Sequence, residues 1–529
     1  MAHVLLISLY DQGALGLRHL SSYLKAAGHR TSFIYFKRYG TVLKSSLKEL
    51  PPGLLHESVD LCGRDTVMSI SAPITDRERD LFSSLVAELQ SDLIGFSLRS
   101  ISISAAALLS RDLRQRFPNT PILWGGIGPT LEPERCLQHC DVVCVGEGEE
   151  ALGDLSLALD EKTPWSGIAN LWGNARAGQP AFRNAPRPLI HDLDALPWPD
   201  ISPEGKFTID GNNLIRNDPV VSNFEALYET TSSRGCPFSC SFCCNEALHR
   251  LYAGQPRVRR RSPGNVIDEI LAARRIHRFD RLIFQDDVFS MNTKWLKDFC
   301  ARYQAQVALP FYCYVYPVGF TDENFRMLRE AGLHWTTLGI QSGSRHILEK
   351  VYKRRDHREA ILDAARRLAA LGIQVTIDII TNNPLETDND CRDTLQLLLA
   401  LPPGIQFNGG LSKLSLFPAT EIETILSDLP RPSAADAPNH ESYNILYLLS
   451  RQSLLPGSLL LAVSRARWLM RRPALLRPLL WPVRSLDSLS ARRRAFLPRL
   501  KNTVKRVLPT PLWNTLRTLK VRVLKRPHL

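Results

Sequence analysis

The sequence predicts an α/β protein of two wound units, an N-terminal doubly wound parallel sheet and then a partial (βα)6 barrel, followed by a basic helical C-terminal region. Three observations carry this expectation. Apolar runs of strand length alternate with helical stretches twice, once before residue 150 and again from residue 225. Between them, Pro180, Pro186, Pro188, Pro197, Pro199 and Pro203 interrupt any long element, so residues 151–224 read as a linker. Beyond residue 450 the charge becomes one-sided: residues 451–529 hold 19 Lys plus Arg against one acid, Asp487, so that +18 of a chain total of +13 sits there and the first 450 residues stand at −5.

In the N-terminal unit, residues 1–150, the strand-like runs are Val4–Leu9, Ser32–Phe36, Leu93–Leu98, Ile122–Trp124 and Val142–Val145, with helices over Leu15–Ala27 and Ala105–Arg116. Sheets of this kind bind ligands at the carboxyl ends of their strands. Glycines fall at those ends: Gly125 and Gly126 after one strand, and Gly146-Glu147-Gly148-Glu149 after another. Glycine tolerates positive φ and lets backbone approach a ligand closely. The second unit, residues 225–430, places strands near 229–234, 281–285, 310–316, 335–341, 373–380 and 405–416, with helices such as Pro263–Ile276 and Arg358–Leu371 between them. Active residues are expected at the strand C-terminal ends.

Cys236, Cys240 and Cys243 form a C-x3-C-x2-C run just after the first of these strands. With 11 cysteines in 529 residues, chance gives this spacing roughly 0.005 times. Three thiolates so close can hold three corners of an iron-sulfur cube and leave the fourth iron open. A zinc site needs a fourth ligand, and no second C-x2-C or H-x3-H pair follows within fifty residues; His249 is the remaining candidate. Cys244 is expected in the barrel wall, because adjacent cysteines rarely reach one metal.

Composition points to a large cytosolic enzyme. Hydrophobic residues make up 44% of the chain, enough for three to four domain cores. The opening Met-Ala-His-Val-Leu-Leu-Ile reads as a first strand and not as a signal peptide, eleven cysteines fit a reducing compartment, and no apolar stretch reaches the roughly 20 residues of a membrane span. In the tail, residues 431–529, Leu512, Leu516, Leu519 and Val523 recur at helical spacing among Arg517, Lys520, Arg522 and Lys525. Such a helix either lies on an anionic membrane surface or caps the enzyme with a solvated basic face; nucleic acid is not an expected partner.

The run Thr-Ser-Ser-Arg-Gly-Cys-Pro-Phe-Ser-Cys-Ser-Phe-Cys resembles the signature of the radical S-adenosylmethionine (SAM) superfamily. The resemblance implies that Cys236, Cys240 and Cys243 hold a 4Fe-4S cluster, that SAM chelates its open iron, and that Phe242 lies beside the SAM adenine. Ile-Leu-Trp-Gly-Gly-Ile-Gly-Pro-Thr followed by Val-Gly-Glu-Gly-Glu-Glu is similar to the cobalamin-binding, Rossmann-like domain that precedes the barrel in one radical SAM class. This implies cobalamin contacts at Ser97, Gly125, Gly126, Gly146, Glu147, Gly148 and Glu149. The D-x-H-x-x-G histidine ligand is absent, since Asp11 is followed by Gln12 and Gly13. Runs at 284–289, 338–344, 378–387 and 417–421 extend the resemblance over about residues 1–425. Among them, Asp286 and Asp287 end a strand facing the cavity or cap a helix; Gln341, where glutamate is frequent, is expected near the SAM ribose; and Asn383 and Ala419 replace glycines, so the backbone there is expected to avoid strained φ.

The implied activity is cleavage of SAM and, with cobalamin, methylation of an unactivated carbon or phosphorus of a small-molecule or lipid-like substrate, supplied with electrons by a flavodoxin or ferredoxin. Cyclisation, rearrangement or carbon-carbon coupling is the alternative within the family, and a non-catalytic iron-sulfur sensor or scaffold the alternative outside it. The expected location is the cytoplasm, with the tail as a peripheral contact at the inner membrane face.

Overall fold

The computed structural model describes residues 1–480 apart from 12, 38–40, 44–57, 62–63, 69–73, 176–180, 220–226, 320 and 453–454. The helix expected near Leu512–Val523 lies outside the described residues.

Five parallel strands form the heart of the first sheet: Val142–Cys144, Ile122–Gly125, Leu93–Ser97, His3–Leu9 and Arg30–Phe36, in that lateral order. His3–Leu9 is buried at every position, as a strand covered on both faces must be. Its alternate residues serve two cores: Leu5 and Ile7 join Ile34, Phe96 and Trp124 on one face, while Val4 and Leu6 join Phe33, Tyr35 and Leu123 on the other. The chain winds outward in opposite directions from His3–Leu9, so a crevice opens at the carboxyl ends of this strand and of Leu93–Ser97.

Residues 151–224 are more than the linker the prolines suggested. Leu171–Gly173 pairs antiparallel with Val142–Cys144, and Lys206–Asp210 pairs parallel with Arg30–Phe36, so this stretch supplies strands at both edges of the first sheet. The six prolines fall between these strands and leave the ladder bonds intact.

The second sheet runs Leu227–Thr230, Arg281–Phe284, Phe311–Val315, Leu333–Gln341, Gln374–Thr381 and Leu411–Lys413, each parallel to the next, which is the expected partial barrel. Tyr228, Leu282, Phe284, Phe311, Cys313, Ile377 and Ile379 turn outward into one apolar core. The intervening Glu229, Tyr314 and Asp378 are half-buried on the opposite, inner wall. Ser58–Leu61, Arg64–Met68 and Thr41–Leu43 continue this sheet as antiparallel strands. Part of the expected first domain therefore joins the barrel sheet.

Helix starts follow local chemistry: Ser262 caps Pro263–Ile276 by accepting from the Asn265 N–H, and Thr387 with Asp390 forms a capping box on Asp388–Ala400. In the C-terminal region His440–Gln452 packs along Asp388–Ala400. Arg451 fastens it by donating to the carbonyls of Leu398, Pro402 and Ile405 at 2.6, 2.7 and 2.9 Å. No helix among the described residues is long and apolar enough to cross a membrane.

Candidate functional site

The cysteine loop leaves the first barrel strand at Thr231 and is braced on every side. Asp286, at the end of the second strand, accepts from the Ser232 N–H at 2.9 Å, from the Ser232 hydroxyl at 2.7 Å and from the Ser233 hydroxyl. It is therefore neither a cavity carboxylate nor a helix cap. Gly235 takes φ 88°, and a Cβ there would sit 2.1 Å from the Arg257 carbonyl oxygen, so glycine is required. Cys243 closes a turn by donating its N–H to the Cys240 carbonyl at 3.0 Å, and Ser241 is stitched to the Val351 and Tyr352 carbonyls. The His249 Nε2 bonds the Cys236 carbonyl at 2.9 Å, which uses that nitrogen to hold the loop rather than a metal. The three thiols lie within electrostatic reach of one another, and Cys236 and Cys243 within reach of Asp287. Burial pushes Cys236 up to about 12 and Asp287 above the usual carboxylate range, while a hydrogen bond from Cys244 lowers Cys243. Cys244 thus lines the cavity instead of the barrel wall.

Beside this loop lies a chamber of about 620 Å³, lined from the first sheet by Gly126, Gly146 and Glu147 and from the barrel by Gly235, Cys244 and Asp287. It shares Gly126, Gly146, Glu147, Ser233, Arg234 and Gln285 with a narrower slot of about 320 Å³ that runs between the strand ends, past Ser97, Gly125, Gly148 and Glu149. Gly146 has φ 88° and lies under the Tyr252 hydroxyl, where a Cβ would come within 1.8 Å; the same hydroxyl accepts from the Glu147 N–H at 3.3 Å.

The carboxylates of Glu147 and Glu149 have partners in the other unit. Arg234, two residues before Cys236, donates to Glu147 at 2.9 Å and to Glu149 at 2.6 Å. Arg259 donates twice to Glu147 at 2.9 Å, and the Ile190 N–H completes that carboxylate's shell at 3.0 Å. Burial alone would raise Glu147, but the hydrogen bonds and charges of Arg259 and Arg234 outweigh it and hold the group below its usual range. The carboxylates of Glu147 and Glu149 join the sheet to the cysteine loop, and both residues line the slot where cofactor contacts are expected. Sequence reading missed Arg234, Tyr252 and Arg259. Arg234 had a signal in standing directly before Gly235-Cys236, whereas the others had none.

Phe242 and Gln341 line neither cavity. Phe242 packs on the barrel core, edge-on to Tyr352 with centroids 5.1 Å apart. Gln341 sits at φ 67° on a bulge and folds back toward Gly339, whose carbonyl accepts from Arg354 at 2.7 Å. Arg354 in turn lies against Cys240. Ala419, expected to avoid strain, takes φ 59° instead, at a cost of roughly 1–2 kcal/mol, with its carbonyl held by Arg250 at 2.5 Å. Asn383 keeps an ordinary φ, and its neighbour Asn382 takes the left-handed conformation at 61°.

The donor chemistry fits an iron-sulfur centre, with three thiols on one braced loop whose flanking residues, Gly235 and Cys244, line an open chamber. The glycine-lined slot fits a bulky cofactor laid against backbone.

The fold and site define an α/β protein with a sheet-end cofactor slot joined to a cluster-binding barrel. Residues 3–156 match the B12 binding domain and residues 230–398 match the Radical SAM superfamily. The chain is 25% identical to the uncharacterized methyltransferase PH0819 of Pyrococcus horikoshii, over 59% of this chain and 65% of that one. It is 27% identical to the anaerobic magnesium-protoporphyrin IX monomethyl ester cyclase of Cereibacter sphaeroides, over 58% and 48%. The chain thus spans between about half and two thirds of the length of these curated relatives. In fold it is similar to the radical S-adenosylmethionine methyltransferase TsrM of Kitasatospora setae, with TM-score 0.60, 18% identity and coverage of 83% and 80%. The chain belongs to the radical SAM enzymes that carry a cobalamin-binding domain ahead of the barrel. The cofactors of that family are a 4Fe-4S cluster, SAM and cobalamin.

Proposed function

We propose that the protein transfers a methyl group from SAM to an unactivated carbon or phosphorus of a small-molecule or lipid-like substrate. When bound, the cluster and SAM supply radical initiation, and cobalamin supplies methyl transfer. Cys236, Cys240 and Cys243 would hold the cluster, with Phe242 and Gln341 on the side of SAM, while Ser97, Gly125, Gly126, Gly146 and Gly148 would cradle cobalamin. The observation that carries the proposal is the shared chamber: Gly126 and Gly146 of the cobalamin-binding domain face Gly235, Cys244 and Asp287 of the barrel across one cavity. Within it the chain's own groups position and shield. Arg234 and Glu147 fix the loop against the sheet, Asp286 locks the loop entry, and Tyr252 covers the Gly146 turn.

The cyclase relative favours a second outcome in the same chamber, ring closure or coupling without methyl transfer. Anaerobic incubation of the loaded full chain with dithionite, SAM and a cell metabolite and lipid extract separates the two. Both S-adenosylhomocysteine and 5'-deoxyadenosine are expected. Deoxyadenosine without S-adenosylhomocysteine overturns methylation in favour of the second reading, and no SAM cleavage at all, unchanged by Cys236→Ala, leaves a non-catalytic cluster.

Electrons are proposed to come from a flavodoxin or ferredoxin. A peripheral contact with anionic lipid is supported by the described end of the chain, where Trp468 and Leu475 are 62% and 53% exposed and stand among Arg465, Arg467, Arg471 and Arg472. The full chain is expected to co-sediment with phosphatidylglycerol vesicles several-fold more than with phosphatidylcholine vesicles, and Trp468→Ala to reduce that. Equal sedimentation with both vesicle types refutes the contact.

A further inference from the structure

Outside the chamber, Glu386, Cys391 and His440 bring a carboxylate, a thiol and an imidazole together, each ligand atom within 4.8 Å of the others. They come from three elements. Glu386 lies in the loop after the strand Gln374–Thr381, Cys391 in the first turn of the helix Asp388–Ala400, and His440 begins the C-terminal helix His440–Gln452. Glu386 and Cys391 are buried at 3% and 1% exposure, and the ion pairs of the described residues give Glu386 no lysine or arginine, only His440. The His440 Nδ1 stands 3.5 Å from Glu386 Oε2. That is long for a hydrogen bond and close to the edge of a tetrahedron built with zinc-ligand bonds of about 2.0–2.3 Å, roughly 3.3–3.8 Å.

A second observation points to an occupant. The Tyr352 hydroxyl and the Asn383 amide nitrogen, both in fully buried residues, face each other beside the cluster and find no partner at full hydrogen-bond geometry. Tyr352 lies within electrostatic reach of both Glu386 and Cys391, and an Asn383 backbone carbonyl faces the His440 ring. Buried polar atoms are almost always paired, and a metal-bound imidazole ordinarily gives its second nitrogen to a carbonyl or carboxylate.

We propose that Glu386, Cys391 and His440 bind one zinc ion, which staples the C-terminal helical region to the barrel. The donor set is borderline-soft and suits zinc better than calcium or magnesium. One carboxylate and one thiolate balance the dication, so the buried site becomes neutral; binding expels the thiol proton and takes the imidazole uncharged. This site is independent of the methyl-transfer reading.

The test uses full-length protein purified without a metal-affinity tag, equilibrated with zinc chloride, desalted over chelating resin and read by mass spectrometry of metals. About one zinc per chain is expected in the wild type and in Cys236→Ala, and less than about a fifth of that in Cys391→Ser and His440→Ala. Zinc chloride added to chelator-stripped wild type is expected to raise its thermal midpoint and to leave that of His440→Ala unmoved. A wild type that retains no zinc and gains no thermal stability from it overturns the proposal even where a variant fails to fold, as do folded variants that keep full zinc.

Discussion

Replacing Glu147 by glutamine removes one negative charge from a point where two arginines converge. The side chains of Glu147, Arg234 and Arg259 keep 19%, 23% and 7% of their surface. Breaking a fully buried ion pair by removing one partner costs about 3–5 kcal/mol. Partial exposure and the surviving amide bond to the Ile190 N–H reduce this to about 2–3 kcal/mol for Glu147→Gln. In apparent thermal unfolding that corresponds to a fall on the order of 5 °C. A double-mutant cycle with Arg234→Gln is expected to return a coupling of at least about 1 kcal/mol, since the pair is separated by 87 residues in sequence but by 2.9 Å in space. The pH dependence has a fixed sign. Glu147 has a folded pKa held below the unfolded value of about 4.3, so its stabilisation is present above that pH and is lost as pH falls through the folded value. The gap between wild type and Glu147→Gln therefore closes under acid conditions. A variant within about 0.5 kcal/mol of wild type at pH 7, or a coupling of zero, refutes the junction.

Three other outcomes are expected. Cys236→Ala, Cys240→Ala and Cys243→Ala each lower bound iron and sulfide severely after anaerobic reconstitution, whereas Cys244→Ala keeps them, as read by iron and sulfide analysis. Gly146→Ala weakens cobalamin retention and stability together, because its Cβ meets the Tyr252 hydroxyl at 1.8 Å; adding Tyr252→Ala restores only part, since the φ of 88° still costs roughly 1 kcal/mol or more. Asp378 is raised to about 6 by burial, so it binds its proton more tightly folded than unfolded and destabilises the fold as pH rises past about 4. Asp378→Asn is thus expected to gain about 1–3 kcal/mol in denaturant titrations at pH 7 and nothing near pH 4.

Much of the fold is legible in its strands: His3–Leu9 shows as a nearly continuous apolar run and Gln374–Thr381 as an alternation of apolar and polar residues, and the cysteine spacing places the cluster loop. In residues 151–224 proline density hides strands, because Leu171–Gly173 and Lys206–Asp210 are short pieces stabilised by pairing with distant partners. Gly126 and Gly146 were legible because glycine is demanded there by φ and close approach. The roles of Glu147 and Glu149 were not, because a carboxylate's partner is set by tertiary contact with Arg234 and Arg259, 85 to 112 residues away. Ala419 shows the converse: a side chain that disfavours φ 59° is held there by its surroundings, Arg250 among them.

One chamber is proposed to serve two cofactors. Metal analysis of the anaerobically reconstituted, cobalamin-equilibrated full chain after desalting tests this most directly. About four iron and about one cobalt per chain are predicted, with cobalt lost in Gly146→Ala while iron stays. Iron without cobalt in the wild type, under conditions where the cluster is intact, contradicts the shared chamber.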